Sequence, residues 1–189
     1  MLDHFDLIAS MYDKIIGQHD TSRLKELLQL PTNGILLDAG GGTGRVSQQF
    51  SDMVSHIVVT DLSTKMLEQA KSKGQLLTVK AHVEMLPFPA NIFDRILVVD
   101  AFHHFCNQQE SLRDLVRVLK PGGIGIIEEP DINRFPVKIV AILEKLALMR
   151  SHFHSPQNIQ IMLNKMSIES KIEYDGKYSA WILFEKPKS

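Results

Sequence analysis

The sequence predicts an α/β fold built on a doubly wound, mostly parallel sheet, because short apolar runs alternate with segments of helical periodicity. Five such runs lie at residues 35–37, 56–60, 76–80, 95–99 and 123–127. Nearly uniform apolar runs of this length are typical of parallel strands that are buried on both faces. Residues 167–174 and 177–185 flank the turn signal Asp175-Gly176 and predict a β-hairpin. We therefore expect seven strands, five parallel ones and an antiparallel C-terminal hairpin.

Helical segments are expected between the predicted strands. Residues 64–73 follow Ser63, which is a suitable N-cap residue. Residues 108–119 show a helical apolar spacing and end before Pro121-Gly122-Gly123. A shorter helix is expected over residues 45–50, directly after a glycine-rich turn. This alternation predicts right-handed crossovers, which place the carboxyl ends of the parallel strands at one edge of the sheet.

Two stretches lie outside the alternation and are expected to cover that carboxyl edge, where ligands bind in such folds. Residues 1–30 are predicted to form a mostly helical N-terminal cap, and residues 132–165 a helical insertion on the substrate side. The insertion includes a strongly apolar helix over residues 137–150. This helix is interpreted as a lid or as core packing, and a dimer face or a membrane-surface contact are the alternatives. The chain, residues 1–189, is expected to be a single domain.

Composition argues against several functional classes. The formal net charge is -1 and no basic run occurs, so nucleic-acid binding is not expected. Cys106 is the single cysteine, which argues against disulfides and multi-cysteine metal sites, and we expect no metal at the His152-x-His154 pair either. No long uncharged apolar run is present and acids occur early, so we expect no stable membrane insertion, no secretory signal and a cytoplasmic protein. A monomer or a homodimer is expected.

The most informative segment is residues 35–44, in which an apolar run leads to Asp38 and four glycines follow within the last five positions. A strand that opens into such a turn presents backbone amides to a nucleotide-like ligand. A P-loop is excluded, because the sixth position from Gly40 is Arg45 and no lysine follows. The dinucleotide fingerprint fits poorly, because its third glycine would fall on Arg45 or Ser47.

The spacing Asp38-x-Gly40-x-Gly42-x-Gly44 resembles motif I of the class I S-adenosylmethionine-dependent methyltransferases, and more blocks follow in this family's order. These blocks are Val59-Thr60-Asp61-Leu62-Ser63, Leu86-Pro87-Phe88-Pro89 with Phe93-Asp94, Phe102-His103-His104-Phe105, and Arg117-Val118-Leu119-Lys120-Pro121-Gly122-Gly123. The opening His4 to Asp13 is similar to that of the ubiquinone/menaquinone biosynthesis C-methyltransferase branch (methyltransferase type 11). The resemblance implies a Rossmann-like fold, S-adenosylmethionine as cofactor, S-adenosylhomocysteine as product and a small-molecule substrate.

The resemblance also implies a set of cofactor-binding positions. The glycine turn with Asp38 would hold the methionine moiety, Asp61 the two ribose hydroxyls, and Leu62 the adenine. The complete set is Tyr12, Asp38, Ala39, Gly40, Gly41, Gly42, Asp61, Leu62, His82, Val83, Glu84, Val99 and Asp100. The family commonly has an acid at the position of His82, so the Val83 N–H or Glu84 would make the adenine-edge contact instead. The positive end of a helix after Gly44 is expected to attract the cofactor's carboxylate.

Methyl transfer from a sulfonium is an in-line displacement that requires neither a metal nor a covalent intermediate. Holding the nucleophile and the methyl group in line removes about 7–11 kcal/mol of the barrier. His103 and His104 are the predicted catalytic bases for an acceptor that must lose a proton, with Glu128, Glu129 and Asp131 as further candidates. A structural role is the alternative for the histidines. A non-catalytic S-adenosylmethionine-binding protein and a NAD-type oxidoreductase are the competing classes.

Overall fold

The computed structural model describes residues 19–134, 137 and 152–188, which build one seven-stranded sheet. Its helices and strands are α1 (Ser22–Leu27), β1 (Ile35–Ala39), β2 (His56–Asp61), α2 (Thr64–Ser72), β3 (Leu76–Lys80), β4 (Phe93–Val99), α3 (Gln108–Val118), β5 (Leu119–Pro130), α4 (Pro156–Asn164), β6 (Ser170–Tyr174) and β7 (Ser179–Glu185). Three 3₁₀ segments cover Ser47–Met53, Val83–Met85 and Phe102–His104. None of the helices in these ranges is both long and apolar enough to cross a bilayer.

Two predicted elements lie largely outside the described residues. They are the part of the N-terminal cap before residue 19, which includes Tyr12, and the apolar helix over residues 137–150 apart from the buried Val137. Both stay predictions.

The strand order is β3-β2-β1-β4-β5-β7-β6. The first five strands are parallel, and β7 is antiparallel to both β5 and β6, which confirms the predicted sheet with its C-terminal hairpin. The order reverses at β1, which pairs with β2 on one side and with β4 on the other. This reversal is the topological switch point of the sheet. It opens a crevice at the carboxyl ends of the strands, and ligands of doubly wound folds bind there.

Successive residues of the central strands enter two separate hydrophobic layers, because side chains alternate across a strand. Leu36 packs in the layer that contains α1 and α2, whereas Leu37 packs in the layer that contains α3 and α4. The same division separates Val59, Leu97 and Ile126 from Val58, Ile96 and Ile127. Because helices cover both faces of the sheet, the central strands consist almost entirely of apolar residues.

The predicted helix over residues 45–50 is wrong. The chain forms a turn after Gly41, and a 3₁₀ segment follows only at Ser47–Met53. Gly44 has φ 67°, a left-handed conformation that a right-handed helix cannot continue. The expected α-helix N-terminus after the glycine turn is therefore replaced by the start of a 3₁₀ segment at Ser47.

Other boundaries follow the expected chemistry more closely. The Ser63 Oγ accepts a hydrogen bond from Met66 N (3.1 Å), which confirms Ser63 as the N-cap of α2. Strand β5 begins already at Leu119, which pairs with Phe93 across a register shift in β4. The hairpin loop spans residues 175–178, so Asp175-Gly176 forms only the first half of a four-residue loop.

The antiparallel pairing of β5 with β7 depends on a small residue at position 125. Gly125 lies opposite Phe184, and a Cβ built on Gly125 would lie 2.1 Å from Phe184 Cζ. Phe184 is 2% exposed and is packed in the core, so moving its ring to admit a methyl group disturbs core packing. The register therefore favours glycine at this position.

We expect Gly125→Ala to lower the free energy of unfolding by about 1–3 kcal/mol, because the methyl group overpacks the contact with Phe184. Urea denaturation of Gly125→Ala, Phe184→Leu and the double variant measures this effect. The double variant should be less destabilised than the sum of the single variants, because leucine leaves space for the methyl group. Strictly additive effects would show that the two side chains do not compete for space.

Candidate cofactor site at the switch point

The glycine turn at the end of β1 is fixed to the end of β2. Gly40 N and Gly41 N both donate hydrogen bonds to Thr60 O, at 2.8 and 3.1 Å. A Cβ on Gly40 would lie 2.9 Å from the Cβ of Ala101, so the turn also abuts the chain that follows β4. A Cβ built on Gly42 would have Asp61 Oδ2 and Met66 Sδ as its nearest atoms, both 3.9 Å away. The turn therefore exposes backbone at the switch point, and a ligand can approach it closely.

Asp61, the last residue of β2, faces this turn. Its Oδ2 accepts a hydrogen bond from Gly42 N (2.9 Å), and its Oδ1 accepts one from Ser63 N (2.8 Å). These two contacts orient the carboxylate toward the turn. The next residue, Leu62, presents a large apolar side chain that is 40% exposed. The structure thus brings together the predicted ribose and adenine residues beside the turn.

Asp38 lies directly beneath the turn and is 2% exposed. A Cβ on Gly41 would come within 2.3 Å of Asp38 Oδ2, so glycine allows the backbone to lie against the carboxyl group. Burial, together with the negative charge of Asp61, raises the pKa of Asp38 to about 6. The buried carboxylate is therefore ionised at neutral pH at a cost in energy, which a cation on the ligand would reduce.

Val99 and Asp100 lie at the end of β4, on the other side of the switch point. Val99 is paired with Glu128 of β5, and Asp100 N donates a hydrogen bond to Glu128 O (3.0 Å). Asp100 has φ 50°, a left-handed conformation that is uncommon for a residue with a side chain. Asp100 as a residue is exposed, although protein atoms surround its carboxyl group closely. This desolvation, together with the charges of Glu128 and Glu129, raises the pKa of Asp100 to about 6.

The predicted adenine-edge residues follow β3 and occupy different environments. Ala81 N donates a hydrogen bond to the backbone carbonyl of Asp61 (3.2 Å), so this segment begins beside the predicted ribose residue. Val83 is buried and His82 is exposed. Glu84 Oε1 accepts a hydrogen bond from Asn107 N (3.0 Å), which connects it to the N-cap residue of α3.

The predicted catalytic histidines lie on the 3₁₀ segment after β4. The His103 Nδ1 lies 2.6 Å from Glu129 Oε2, both residues are buried, and the His103 ring stacks on Phe153 with centroids 4.2 Å apart. Glu129 Oε1 also accepts a hydrogen bond from Phe102 N (2.8 Å). Burial, together with the charge of His103, lowers the pKa of His104 to about 3, so His104 is neutral at physiological pH. The pairing of His103 with Glu129 was not predicted, although His103 follows β4 and Glu129 lies near the carboxyl end of the neighbouring strand β5.

A second contact at this edge was also missed. Glu128 is buried, and its Oε2 accepts a hydrogen bond from Trp181 Nε1 (2.8 Å). The His19 Nε2 lies 3.2 Å from Glu128 Oε1, and this hydrogen-bonded contact raises the pKa of His19. Sequence reasoning identified Glu128 as a residue at a strand end. Its partners depend on the register of β7 and on the path of the chain before α1, for which no sequence signal exists.

Comparison with known proteins agrees with this arrangement. Residues 37–127 match a family model described as "Methyltransferase domain". The ubiquinone/menaquinone biosynthesis C-methyltransferase UbiE of Vibrio cholerae is 33% identical over 139 residues, which cover 68% of this chain and 52% of that protein. The chain therefore spans about half the length of the curated relatives it matches.

Solved structures show the same fold at low sequence identity. A chain from the complex between the Haloferax volcanii Trm112 methyltransferase activator and its methyltransferase aligns with a TM-score of 0.83, 16% identity and 99% coverage of both chains. Phosphoethanolamine N-methyltransferase 2 of Haemonchus contortus, in complex with S-adenosyl-L-methionine, aligns with a TM-score of 0.79, 17% identity and coverage of 97% of this chain and 57% of that one. The chain thus belongs to the class I S-adenosylmethionine-dependent methyltransferases, in a branch similar to the ubiquinone/menaquinone biosynthesis C-methyltransferases.

Proposed function

We propose that this protein transfers the methyl group of S-adenosylmethionine to a small organic molecule by in-line displacement. The observation that carries the proposal is the position of the Asp61 carboxylate, which is held 2.9 Å from Gly42 N at the switch point. This contact joins the ends of β1 and β2 and orients an acceptor group toward the exposed backbone of the turn. A ribose with two free hydroxyls is the natural partner of such a carboxylate.

The remaining residues of the site suit the other parts of this cofactor. The buried Asp38 carboxylate beside Gly41 suits the ammonium group, because a cation relieves the cost of keeping the acid ionised. The exposed Leu62 suits one face of the adenine, and the segment that contains Val83 suits its edge. Tyr12, Ala39, His82, Glu84 and Val99 stay predicted contacts.

Charge argues against a NAD-type oxidoreductase. A pyrophosphate is bound by backbone amides at a helix N-terminus, where positive potential collects. Here the turn is followed by a 3₁₀ segment, and the carboxylates of Asp38 and Asp61 lie against it. The buried acid Asp38 beneath the glycine turn repels a pyrophosphate, whereas it attracts the ammonium group of S-adenosylmethionine. Asp61 does not discriminate, because it suits the ribose of either cofactor.

When bound, S-adenosylmethionine supplies a methyl group on a positively charged sulfur. The role of the protein is then to hold the acceptor in line and to remove a proton where the acceptor has one to lose. His103 and His104 are the proposed bases, and His103 is favoured because Glu129 orients its ring from the Nδ1 side. His104 is the weaker base, because its protonated form is strongly disfavoured.

One observation favours a second candidate, a non-catalytic S-adenosylmethionine-binding protein. Glu128, Glu129 and His103 all have partners within the fold, as expected of groups that hold structure together. Transfer of a labelled methyl group from S-adenosylmethionine to a panel of small phenols, amines and carbon nucleophiles tests turnover. Cofactor binding without transfer to any acceptor would favour the second candidate.

We expect S-adenosylhomocysteine to raise the melting temperature and NAD to leave it unchanged, because only the former suits the site. A ligand at about 100 times its Kd stabilises the fold by about 2.7 kcal/mol, which thermal denaturation resolves easily. Stabilisation by NAD alone would end the proposal.

Asp61→Ala should weaken S-adenosylhomocysteine binding by about 1–3 kcal/mol, because the ribose loses a charged hydrogen-bond acceptor. Isothermal titration calorimetry measures the change. Asp175→Ala, which removes an exposed acid from the β6–β7 loop, is the matched control and should bind as the wild type does. An unchanged affinity in Asp61→Ala would place the ribose elsewhere.

Asp38→Asn should stabilise the ligand-free protein at pH 8 while weakening cofactor binding. The folded-state pKa of about 6 exceeds the usual 3.8, so this group's contribution to stability is present below pH 3.8 and is lost as the pH rises through 6. Asparagine removes this loss, and the free energy of unfolding at pH 8 should rise by about 1–3 kcal/mol.

At pH 4, Asp38→Asn and the wild type should be equally stable, because the wild-type carboxyl group is then largely protonated. Urea denaturation at both pH values makes the comparison. A variant that is less stable than the wild type at pH 8 would show that ionised Asp38 supports the fold.

A further inference from the structure

Asp100 differs from the other acids at the carboxyl edge of β4 and β5. Glu128 is bound by Trp181, and Glu129 is bound by Phe102 N and His103. Both glutamates are buried, whereas Asp100 is an exposed residue. Asp100 is thus an acid at this edge that a ligand in the crevice can reach.

Backbone geometry places Asp100 beside the glycine turn. Its neighbour Ala101 abuts Gly40, since a Cβ on Gly40 would lie 2.9 Å from the Ala101 Cβ. The hydrogen bond from Asp100 N to Glu128 O holds the residue in its left-handed conformation at φ 50°. Such conformations cost energy in residues other than glycine and cluster at functional sites.

We propose that Asp100 makes the site distinguish the charged donor from the neutral product. The inference rests on the proposed function, in which the methionine part of the cofactor lies along the turn between β1 and β4. On transfer, the acceptor forms a bond to the methyl carbon, the sulfur keeps the electron pair of the broken S–C bond, and the sulfonium becomes a neutral thioether. A carboxylate beside the sulfur attracts the cation before transfer and has no such attraction for the product, so the product is released more readily.

The electrostatic surroundings of Asp100 support this role. Desolvation and the charges of Glu128 and Glu129 raise its pKa to about 6, while the charges of His103 and His19 act in the opposite direction. The ionised carboxyl group is therefore costly in the absence of a cation. A sulfonium nearby compensates that cost, which a neutral thioether cannot do.

The test compares the Kd values of S-adenosylmethionine and S-adenosylhomocysteine for the wild type, Asp100→Asn and Glu185→Gln. Asparagine has the shape of aspartate and tolerates the left-handed conformation, so Asp100→Asn removes the charge with little effect on the backbone. Glu185, which is paired with Ile124 at the opposite edge of the sheet, is the matched charge control. We expect Asp100→Asn to weaken S-adenosylmethionine about tenfold and S-adenosylhomocysteine less than about threefold, while Glu185→Gln changes neither.

Sinefungin, which carries an amine on the carbon that replaces the sulfur, is a second cationic probe. It should lose affinity in Asp100→Asn as S-adenosylmethionine does. Equal losses for the cationic and the neutral ligands, or no loss for either, would overturn the role of Asp100 and leave the proposed function intact. Failure of the wild type to bind any of the three would instead overturn the proposed function.

The pH dependence gives a second measurement, made first on the wild type and then on Asp100→Asn. In the wild type, the preference for S-adenosylmethionine over S-adenosylhomocysteine should be full above pH 6 and should shrink as the pH falls through about 6. Asp38 titrates in the same range, but both ligands carry the same ammonium group, so its effect cancels in the ratio of the two Kd values. A ratio that does not change with pH would contradict the role proposed for Asp100. A pH-dependent change that persists in Asp100→Asn would also contradict it, because the change would then belong to another group, such as His19 or His103.

Discussion

The hydrogen bond from Gly42 N to the Asp61 carboxylate joins two strand ends on which the candidate site depends. Strand β1 brings the glycines to the switch point, and β2 brings the acid, 19 residues further along the chain. The two hydrogen bonds that Thr60 O accepts from the turn reinforce this contact from the backbone side. With both strand ends fixed, the turn keeps an open approach for a ligand without help from a following α-helix.

The site concentrates negative charge where many nucleotide sites concentrate positive charge. Asp38 and Asp61 lie against the turn after β1, and Asp100, Glu128 and Glu129 follow on β4 and β5. In the ligand-free protein, burial and the charge of Asp61 raise the pKa of Asp38, and burial and the charges of Glu128 and Glu129 raise the pKa of Asp100. Keeping these two acids ionised therefore weakens the fold. Under the proposed function, a cofactor with an ammonium group and a sulfonium offsets that loss of stability, so the sign of the charge favours this cofactor in addition to the shape of the turn.

Sequence patterns predicted the sheet well, because a strand buried on both faces leaves a clear apolar run and the blocks around it occur in a known order. The N-cap at Ser63 was equally predictable, since capping is a local interaction. The helix after Gly44 was mispredicted because helical propensity carries no information on the left-handed backbone at the glycines. The contacts of His103 with Glu129 and of Glu128 with Trp181 lay beyond prediction, because they join residues 26 and 53 positions apart through strand register alone.

Trp181 gives this arrangement a practical consequence. It is the single tryptophan of the chain, and its indole N–H donates to the Glu128 carboxylate beside the candidate site. The emission of an indole responds to nearby charge and to hydration, so intrinsic fluorescence excited at this residue reports on the carboxyl edge of the sheet alone. The position of the hairpin thus gives the protein a built-in optical probe, which follows changes at this edge without any label.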